Sequence, residues 1–353
     1  MTRHPPRKIL IIRMSSIGDI VLTSPLIRAL RQRFPGADID FLVRSEFAEL
    51  VRHNPYLSNI LIYSPATGWA GLHRLRRKIR AANYDVILDV HRNWRSLYLR
   101  RGLPTLAVRK YYLRRWLLVY TTINRYTGRN RLSQSVAERY LQTAQPLGID
   151  TSDLSLDCFL PEDVEKRIAD RWKAWYSRGV RVLMAPGSRH FTKRWPPEYY
   201  ARLIGRLFQR LGWKTLLIGG AEEQELTKAI IRMAPPNAAF NLAGKCSLME
   251  AAAYIQQATL FVSNDSGLMH MAAAFRKPQV AIFGSTTREL GFFPLNPEAI
   301  VIENEGLSCR PCHHIGRSSC PKSHFRCMRE LTPERVFGTI QTHLLPRLHS
   351  SRR

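Results

Sequence analysis

One pattern, met again and again, restricts what this 353-residue chain can fold into. A short apolar run ends in a cluster of small or hydroxylated residues, and a stretch with helical spacing follows. Lys8-Ile-Leu-Ile-Ile-Arg13 leads into Ser15-Ser-Ile-Gly-Asp19. Arg181-Val-Leu-Met-Ala185 leads into Pro186-Gly-Ser188, and Lys214-Thr-Leu-Leu-Ile218 into Gly219-Gly220. Thr259-Leu-Phe-Val-Ser263 leads into Asn264-Asp-Ser-Gly267, and Pro278-Gln-Val-Ala-Ile-Phe283 into Gly284-Ser-Thr286. Runs this short and this β-branched read as strands buried on both faces. Parallel neighbours need a long crossover, which the helical stretches supply. The expected fold class is α/β, with doubly wound parallel sheets and helices on both faces.

Ile39–Val43, Asn59–Tyr63 and Tyr84–Val90 add predicted strands to the first half, with predicted helices over Ile20–Arg33 and Leu72–Ala82. The second half has predicted helices over Pro197–Leu211, Glu222–Ala234, Ser247–Ala258 and Gly267–Phe275. The charged, helix-like Pro161–Ser177 separates the two sets. The expected domains are residues 1–160, residues 161–335 carrying a Cys-rich loop at 309–327, and a C-terminal helix or tail over 336–353.

Charge speaks to partners rather than to fold. The net charge is +27, and residues 1–150 hold 26 Lys and Arg against 9 Asp and Glu. No acidic residue occurs from Val90 to Ala137. Arg92, Arg95, Arg109, Lys110, Arg114 and Arg115 lie in that stretch, interleaved with Trp94, Tyr98, Tyr111, Tyr112, Trp116 and Tyr120. A solvated basic face, a surface for anionic lipid or phosphorylated saccharide, and a single-stranded nucleic-acid channel all fit this composition. No RNP, KH or zinc-finger pattern supports the last, so no nucleic-acid partner is expected. The apolar run Ile9–Ile12 is too short for a signal peptide, and no stretch approaches the ~18–20 apolar residues of a membrane span. The expected location is the cytoplasm, against a membrane face.

Doubly wound sheets bind ligands outside the carboxyl ends of their strands. The four small-residue loops of the second half therefore point to a nucleotide. Its diphosphate would sit on the amides near Ser266, Gly267 and Leu268, at the positive end of a helix. Lys193, in Thr192-Lys-Arg-Trp-Pro196, is either a point charge for a phosphate or a surface lysine. His270 is either a ligand or a core histidine. Asp19 is either a first-turn carboxylate at a helix start or a general base. Cys309, Cys312, Cys320 and Cys327 have the spacing C-x2-C-x7-C-x6-C. They form either a structural zinc or iron site or a loop of reduced thiols. Cys158 and Cys246 read as packing residues.

Ser16-Ile-Gly-Asp-Ile-Val-Leu-Thr-Ser-Pro25 resembles the N-terminal signature of glycosyltransferase family nine, the ADP-heptose:lipopolysaccharide heptosyltransferases. Tyr84-Asp-Val-Ile-Leu-Asp-Val-His-Arg-Asn-Trp-Arg-Ser96, Ala185-Pro-Gly-Ser-Arg189 with Thr192-Lys-Arg-Trp-Pro196, and Ser263-Asn-Asp-Ser-Gly-Leu-Met-His270 extend the resemblance over most of the chain. It implies the GT-B architecture: two Rossmann-like domains facing across a cleft, acceptor domain first and nucleotide-sugar domain second. It implies an inverting transfer of heptose from ADP-heptose to the inner core of lipopolysaccharide, with Asp19 as base and no cofactor or metal in catalysis. Lys193, Ser188 and Asp265 to Leu268 would receive the leaving ADP, and Asp265 would also hold the sugar. Glu222 would hold the ribose, with Thr286 and His270 completing the donor site. Ser285-Thr-Thr-Arg288 lacks the Pro that commonly follows in that loop, which leaves donor specificity open. The acceptor would be anionic, at the inner face of the inner membrane, and met by the basic residues from Arg92 to Arg115. A family-nine enzyme acting on another acceptor, such as a protein, is the next reading. A basic nucleic-acid-binding protein is a third, from another class.

Overall fold

The computed structural model describes residues 4–121, 134–176 and 179–346. In its first sheet, β1 (Lys8–Ile12), β2 (Asp38–Arg44), β3 (Asn59–Tyr63), β4 (Val86–Asp89) and β5 (Thr105–Ala107) run parallel in the order β3-β2-β1-β4-β5. Ile11 lies opposite Phe41 on one side and Leu88 on the other. Ile9 to Ile12 are wholly buried, as a strand covered on both faces requires. The helix expected over Ile20–Arg33 is two helices, Ile17–Val21 and Ser24–Arg33. Pro25 has no N–H with which to continue the first ladder, and the Thr23 hydroxyl closes the break by donating to the Ile20 carbonyl at 2.6 Å.

The second sheet joins β6 (Val182–Ala185), β7 (Thr215–Leu217), β8 (Ala239–Asn241), β9 (Leu260–Asn264), β10 (Gln279–Phe283) and β11 (Ala299–Glu303). All are parallel, in the order β11-β10-β9-β6-β7-β8. Both sheets therefore start in the middle, go outward on one side and return to the other. The strand order reverses between β1 and β4 in the first and between β6 and β9 in the second, and those switch points are where such sheets bind ligands. β5, β8 and β11 were not expected from the sequence. They are only partly buried edge strands; β5 and β8 are three residues each and too short for a continuous apolar run, while β11 has one, Ala299–Ile302.

The chain divides into two compact units. The first holds the residues up to Tyr111 together with Gln134–Phe159; the second holds Leu160 onward with the Tyr112–Tyr120 helix. This differs from the expected boundaries in two places. The Tyr112–Tyr120 helix falls outside the first unit. Val336, Phe337, Ile340 and Leu344, expected in a separate tail, are buried in the second unit's core. Their spacing gives the terminal helices one apolar stripe, which has to be covered.

Candidate active site

At the β1–β4 switch point the loop after β4 is built around Asp89, which is fully buried. Its carboxylate accepts from the Arg100 Nε at 2.7 Å, the Ser96 hydroxyl at 2.8 Å, and the backbone N–H groups of His91 and Arg92 at 3.1 and 2.7 Å. These bonds fix the turn in which Arg92 takes a left-handed conformation, φ +49°. Asp89→Ala leaves those donors without their acceptor. It should cost about 3–5 kcal/mol, the scale for breaking a buried ion pair, read as a lower denaturation midpoint. A loss within 0.5 kcal/mol would show that the loop does not depend on this hub.

Asp19 lies one strand away, at the start of the helix after β1. Both sequence readings of it apply. As a first-turn carboxylate, its Oδ2 takes long hydrogen bonds from the Ser16 hydroxyl (3.2 Å) and backbone N–H (3.4 Å). Its Oδ1 is held differently, by the Arg13 guanidinium at 2.5 Å and the Tyr140 hydroxyl at 3.2 Å. The Asp19 side chain keeps 18 % of its surface exposed, so a substrate can reach it. Arg13 also donates to the Val90 carbonyl at 2.8 Å and lies over the Tyr140 ring. Burial works to raise the Asp19 pKa. The Arg13 charge, with hydrogen bonds from Arg13, Ser16 and Tyr140, overrides it and holds the carboxyl below its ordinary value. Burial keeps the Tyr140 phenol protonated. Burial and then the Arg13 charge push His91 down to about 3, so its imidazole is neutral. The cluster is thus one ionised carboxylate with one oxygen clamped and the other lightly engaged.

This arrangement has a pH consequence. Removing the charge in Arg13→Met should raise the Asp19 pKa and move the acid limb of kcat upward by roughly 1–2 pH units. In the wild type the folded pKa lies below the unfolded one. The pair's stabilisation is therefore complete above the ordinary carboxylate pKa and is lost as pH falls through the folded value. An unmoved acid limb in the variant would separate Asp19 from Arg13.

At the β6–β9 switch point, the loops after β6, β9 and β10 are stitched into one cradle. Asn264, fully buried, donates to the Pro186 carbonyl at 2.6 Å and accepts from the Trp195 N–H and the Tyr200 hydroxyl, both at 3.1 Å. Asp265 Oδ2 accepts from the Lys193 ammonium at 2.7 Å and the Thr286 hydroxyl at 2.6 Å. The Ser188 hydroxyl donates to the Asp265 carbonyl at 3.2 Å. Lys193, Ser188, Asp265 and Thr286 are therefore gathered as expected. Ser266 is the N-cap of the Gly267–Ala274 helix, with Gly267 and Leu268 partly open at its start. The hydroxyls of Ser266, Ser285 and Thr287 are buried and have no hydrogen-bond partner among the described residues. Orphan hydroxyls beside a helix N-terminus suit an anion rich in acceptor oxygens. His270 lies deeper, 2 % exposed, its ring 6.5 Å from that of Phe292.

Glu222 is exposed, and the neighbouring Glu223 is the carboxylate turned inward. It accepts from the Gly220 N–H at 2.9 Å, and a Cβ on Gly187 or Gly219 would strike it. Burial raises its pKa. The 3-10 turn Ala221–Glu223 sets this register, which helical spacing alone does not reveal. The basic stretch is divided between the two units. Arg92 is tied to the Val108 carbonyl, Lys110 to the Arg92 carbonyl, and Arg95 lies over the Trp94 ring, while Arg109 is exposed. Arg115 lies over Tyr112, in the second unit. The Arg114 side chain and residues 122–133 lie outside the described residues.

Cys309, Cys312, Cys320 and Cys327 line one small cavity with His324, whose Nε2 is 3.8 Å from the Cys309 Sγ. All are free thiols. Among the described residues no three His, Cys, Asp or Glu side chains come together as ligands for an ion, so the expected zinc or iron site does not fit this arrangement. What the loop does provide is bracing. Arg310, 5 % exposed, donates to the Gly284 and Thr286 carbonyls and pairs with Glu303 at 2.7 Å. Arg317 and Thr192 exchange backbone and hydroxyl bonds at 3.1 and 2.8 Å. The Cys-rich loop therefore ties the Lys193 turn to the Thr286 loop.

The family model described as "Glycosyltransferase family 9 (heptosyltransferase)" matches residues 72–322. The chain belongs to glycosyltransferase family 9. Lipopolysaccharide heptosyltransferase 3 of Escherichia coli (strain K12) is 28 % identical over 283 residues, covering 76 % of this chain and 80 % of that protein. Two solved structures share the fold. E. coli ADP-heptose lipopolysaccharide heptosyltransferase II has a TM-score of 0.75 at 23 % identity, covering 98 % of this chain and 100 % of the other. E. coli heptosyltransferase WaaC with ADP-2-deoxy-2-fluoro heptose has a TM-score of 0.66 at 21 % identity, covering 95 % and 99 %. The two-sheet α/β architecture of this family 9 chain is thus that of GT-B heptosyltransferases.

Proposed function

We propose that this glycosyltransferase moves a heptose from ADP-heptose to the inner core of lipopolysaccharide, inverting the anomeric configuration. One observation carries the reading. A family 9 chain has an ionised, reachable carboxylate at the end of β1 and a cradle of orphan hydroxyls at the β6–β9 switch point. An acceptor hydroxyl attacks the anomeric carbon and gives its proton to the lightly engaged Oδ2 of Asp19. The bond from that carbon to the diphosphate oxygen breaks, and negative charge gathers on the leaving ADP. Lys193, Ser188 and the helix start at Ser266 to Leu268 receive that charge, which is where preorganised donors lower a barrier most. They supply the positive potential themselves, so the reading assigns no metal to the diphosphate. Asp265 spends Oδ2 on Lys193 and Thr286, leaving Oδ1 for sugar hydroxyls. Glu223 takes the place at the ribose first given to Glu222. His270 supports the helix that carries the anion site.

The acceptor is anionic; Arg92 and Arg95 follow β4, next to the strand that delivers Asp19, and Arg109 and Lys110 follow β5, one strand further out. In this reading they attract and orient its carboxylates and phosphates. The enzyme works as a peripheral protein on the cytoplasmic face of the inner membrane. Among the described residues no helix is long and apolar enough to cross a membrane. Incubation with ADP-heptose and heptose-deficient lipopolysaccharide should add heptose to the glycolipid with the opposite anomeric configuration. Transfer to a protein but not to the glycolipid would replace this acceptor. Salt-dependent retention on RNA without turnover would overturn the enzyme reading.

A further inference from the structure

The Gly68–Ala81 and Trp94–Arg100 helices pack against each other in the first unit. The longer one buries Leu72, Leu75 and Ile79, three and four residues apart, and turns its other positions outward. On the outward side, Trp69 is 64 % exposed and Trp94 52 %. Their ring centroids are 5.3 Å apart, and Trp69 meets Tyr98 edge-on at 5.5 Å. Arg76 lies 4.6 Å from the Tyr98 ring and Arg95 4.3 Å from the Trp94 ring. Leu97, 54 % exposed, extends the patch. None of these contacts serves the cluster around Asp19.

Two properties of the patch select its partner. The first is charge. Neither helix contains an acidic residue. Among the described residues no carboxylate forms an ion pair with Arg74, Arg76, Arg77, Lys78 or Arg95. The second is the geometry of the rings. They lean on one another, and Arg95 lies over Trp94, so the rings form one connected ridge with Leu97 rather than separate platforms for successive bases. Ring edges and an aliphatic side chain amid unpaired cations suit a surface that is anionic outside and apolar beneath.

We infer that this platform docks the protein on an anionic phospholipid surface. Trp69, Trp94 and Leu97 enter the headgroup region, and Arg74, Arg77 and Lys78 meet lipid phosphates. The inference rests on the membrane part of the proposed function. It places the membrane contact on the face made by these two helices.

The test uses the full chain with vesicles of phosphatidylcholine, with and without phosphatidylglycerol. Changing Arg74, Arg77 and Lys78 together to Gln should weaken binding to the anionic vesicles about 100-fold at low salt, since each cation near such a surface is worth about tenfold or somewhat less. Trp69→Ala with Trp94→Ala should weaken it about tenfold and reduce quenching of tryptophan fluorescence by lipids brominated near the headgroups. The circular dichroism spectrum and the denaturation midpoint should be unchanged in both variants, which verifies folding of the unit that carries the platform. If wild type ignores anionic vesicles, the membrane reading itself fails. If wild type binds and both variants bind equally well, the membrane reading stands and the platform is wrong. Loss of binding to single-stranded RNA with vesicle binding intact would assign the platform to nucleic acid instead.

Discussion

Asp19→Asn is expected to lower kcat by roughly 10²–10⁴-fold while leaving ADP binding as in wild type. The amide fills the same space but cannot accept the acceptor's proton. The change has a second effect, because Arg13 is 11 % exposed and pairs with this carboxylate. Losing that partner should cost about 1–3 kcal/mol of stability, the price of an uncompensated polar group. The double variant Arg13→Met with Asp19→Asn separates the two roles. It should regain part of the stability and none of the turnover. Near-normal turnover in folded Asp19→Asn would return the residue to its helix-capping role alone.

Lys193→Ala should weaken ADP-heptose binding by roughly 10–100-fold and slow transfer further, with acceptor affinity unchanged. The loss has two parts. The diphosphate loses a cation, and Asp265, whose side chain is only 5 % exposed, is left with Thr286 as its remaining side-chain donor. That carboxylate then repels the ligand. Adding Asp265→Asn to Lys193→Ala should therefore recover part of the ADP affinity. Equal donor affinity and rate in Lys193→Ala would make Lys193 a bystander.

How much of this was legible in the sequence depended on whether the signal was local. The central strands, buried on both faces, show as unbroken β-branched runs, and the small-residue turns after β6, β9 and β10 mark the binding edge. Edge strands β5 and β8, three residues each and partly open to solvent, are too short to show such a run, while β11 carries one, Ala299–Ile302, without a helical stretch directly after it. Asp19 could not be assigned from spacing alone. Tyr140 stands 121 residues away, and what brings it to Asp19 is the packing of the Val136–Ala144 helix. Arg13 left a faint trace, a single cation closing an apolar strand. Lys193 and Asp265 each sit in a recognisable motif, but their direct pairing is a product of the fold. Glu222 and Glu223 differ by one residue, and a 3-10 turn decides which points inward. The cysteine spacing suggested ligands, but spacing carries no information on whether sulfurs converge.

The most direct measurement is a donor screen: the purified protein, one truncated lipopolysaccharide acceptor, and ADP-, GDP- and UDP-linked sugars in parallel. The account predicts transfer from ADP-heptose, with the heptose linked in inverted configuration, and little from the other donors. Preferred transfer from a GDP- or UDP-sugar, or a product with retained configuration, would contradict it.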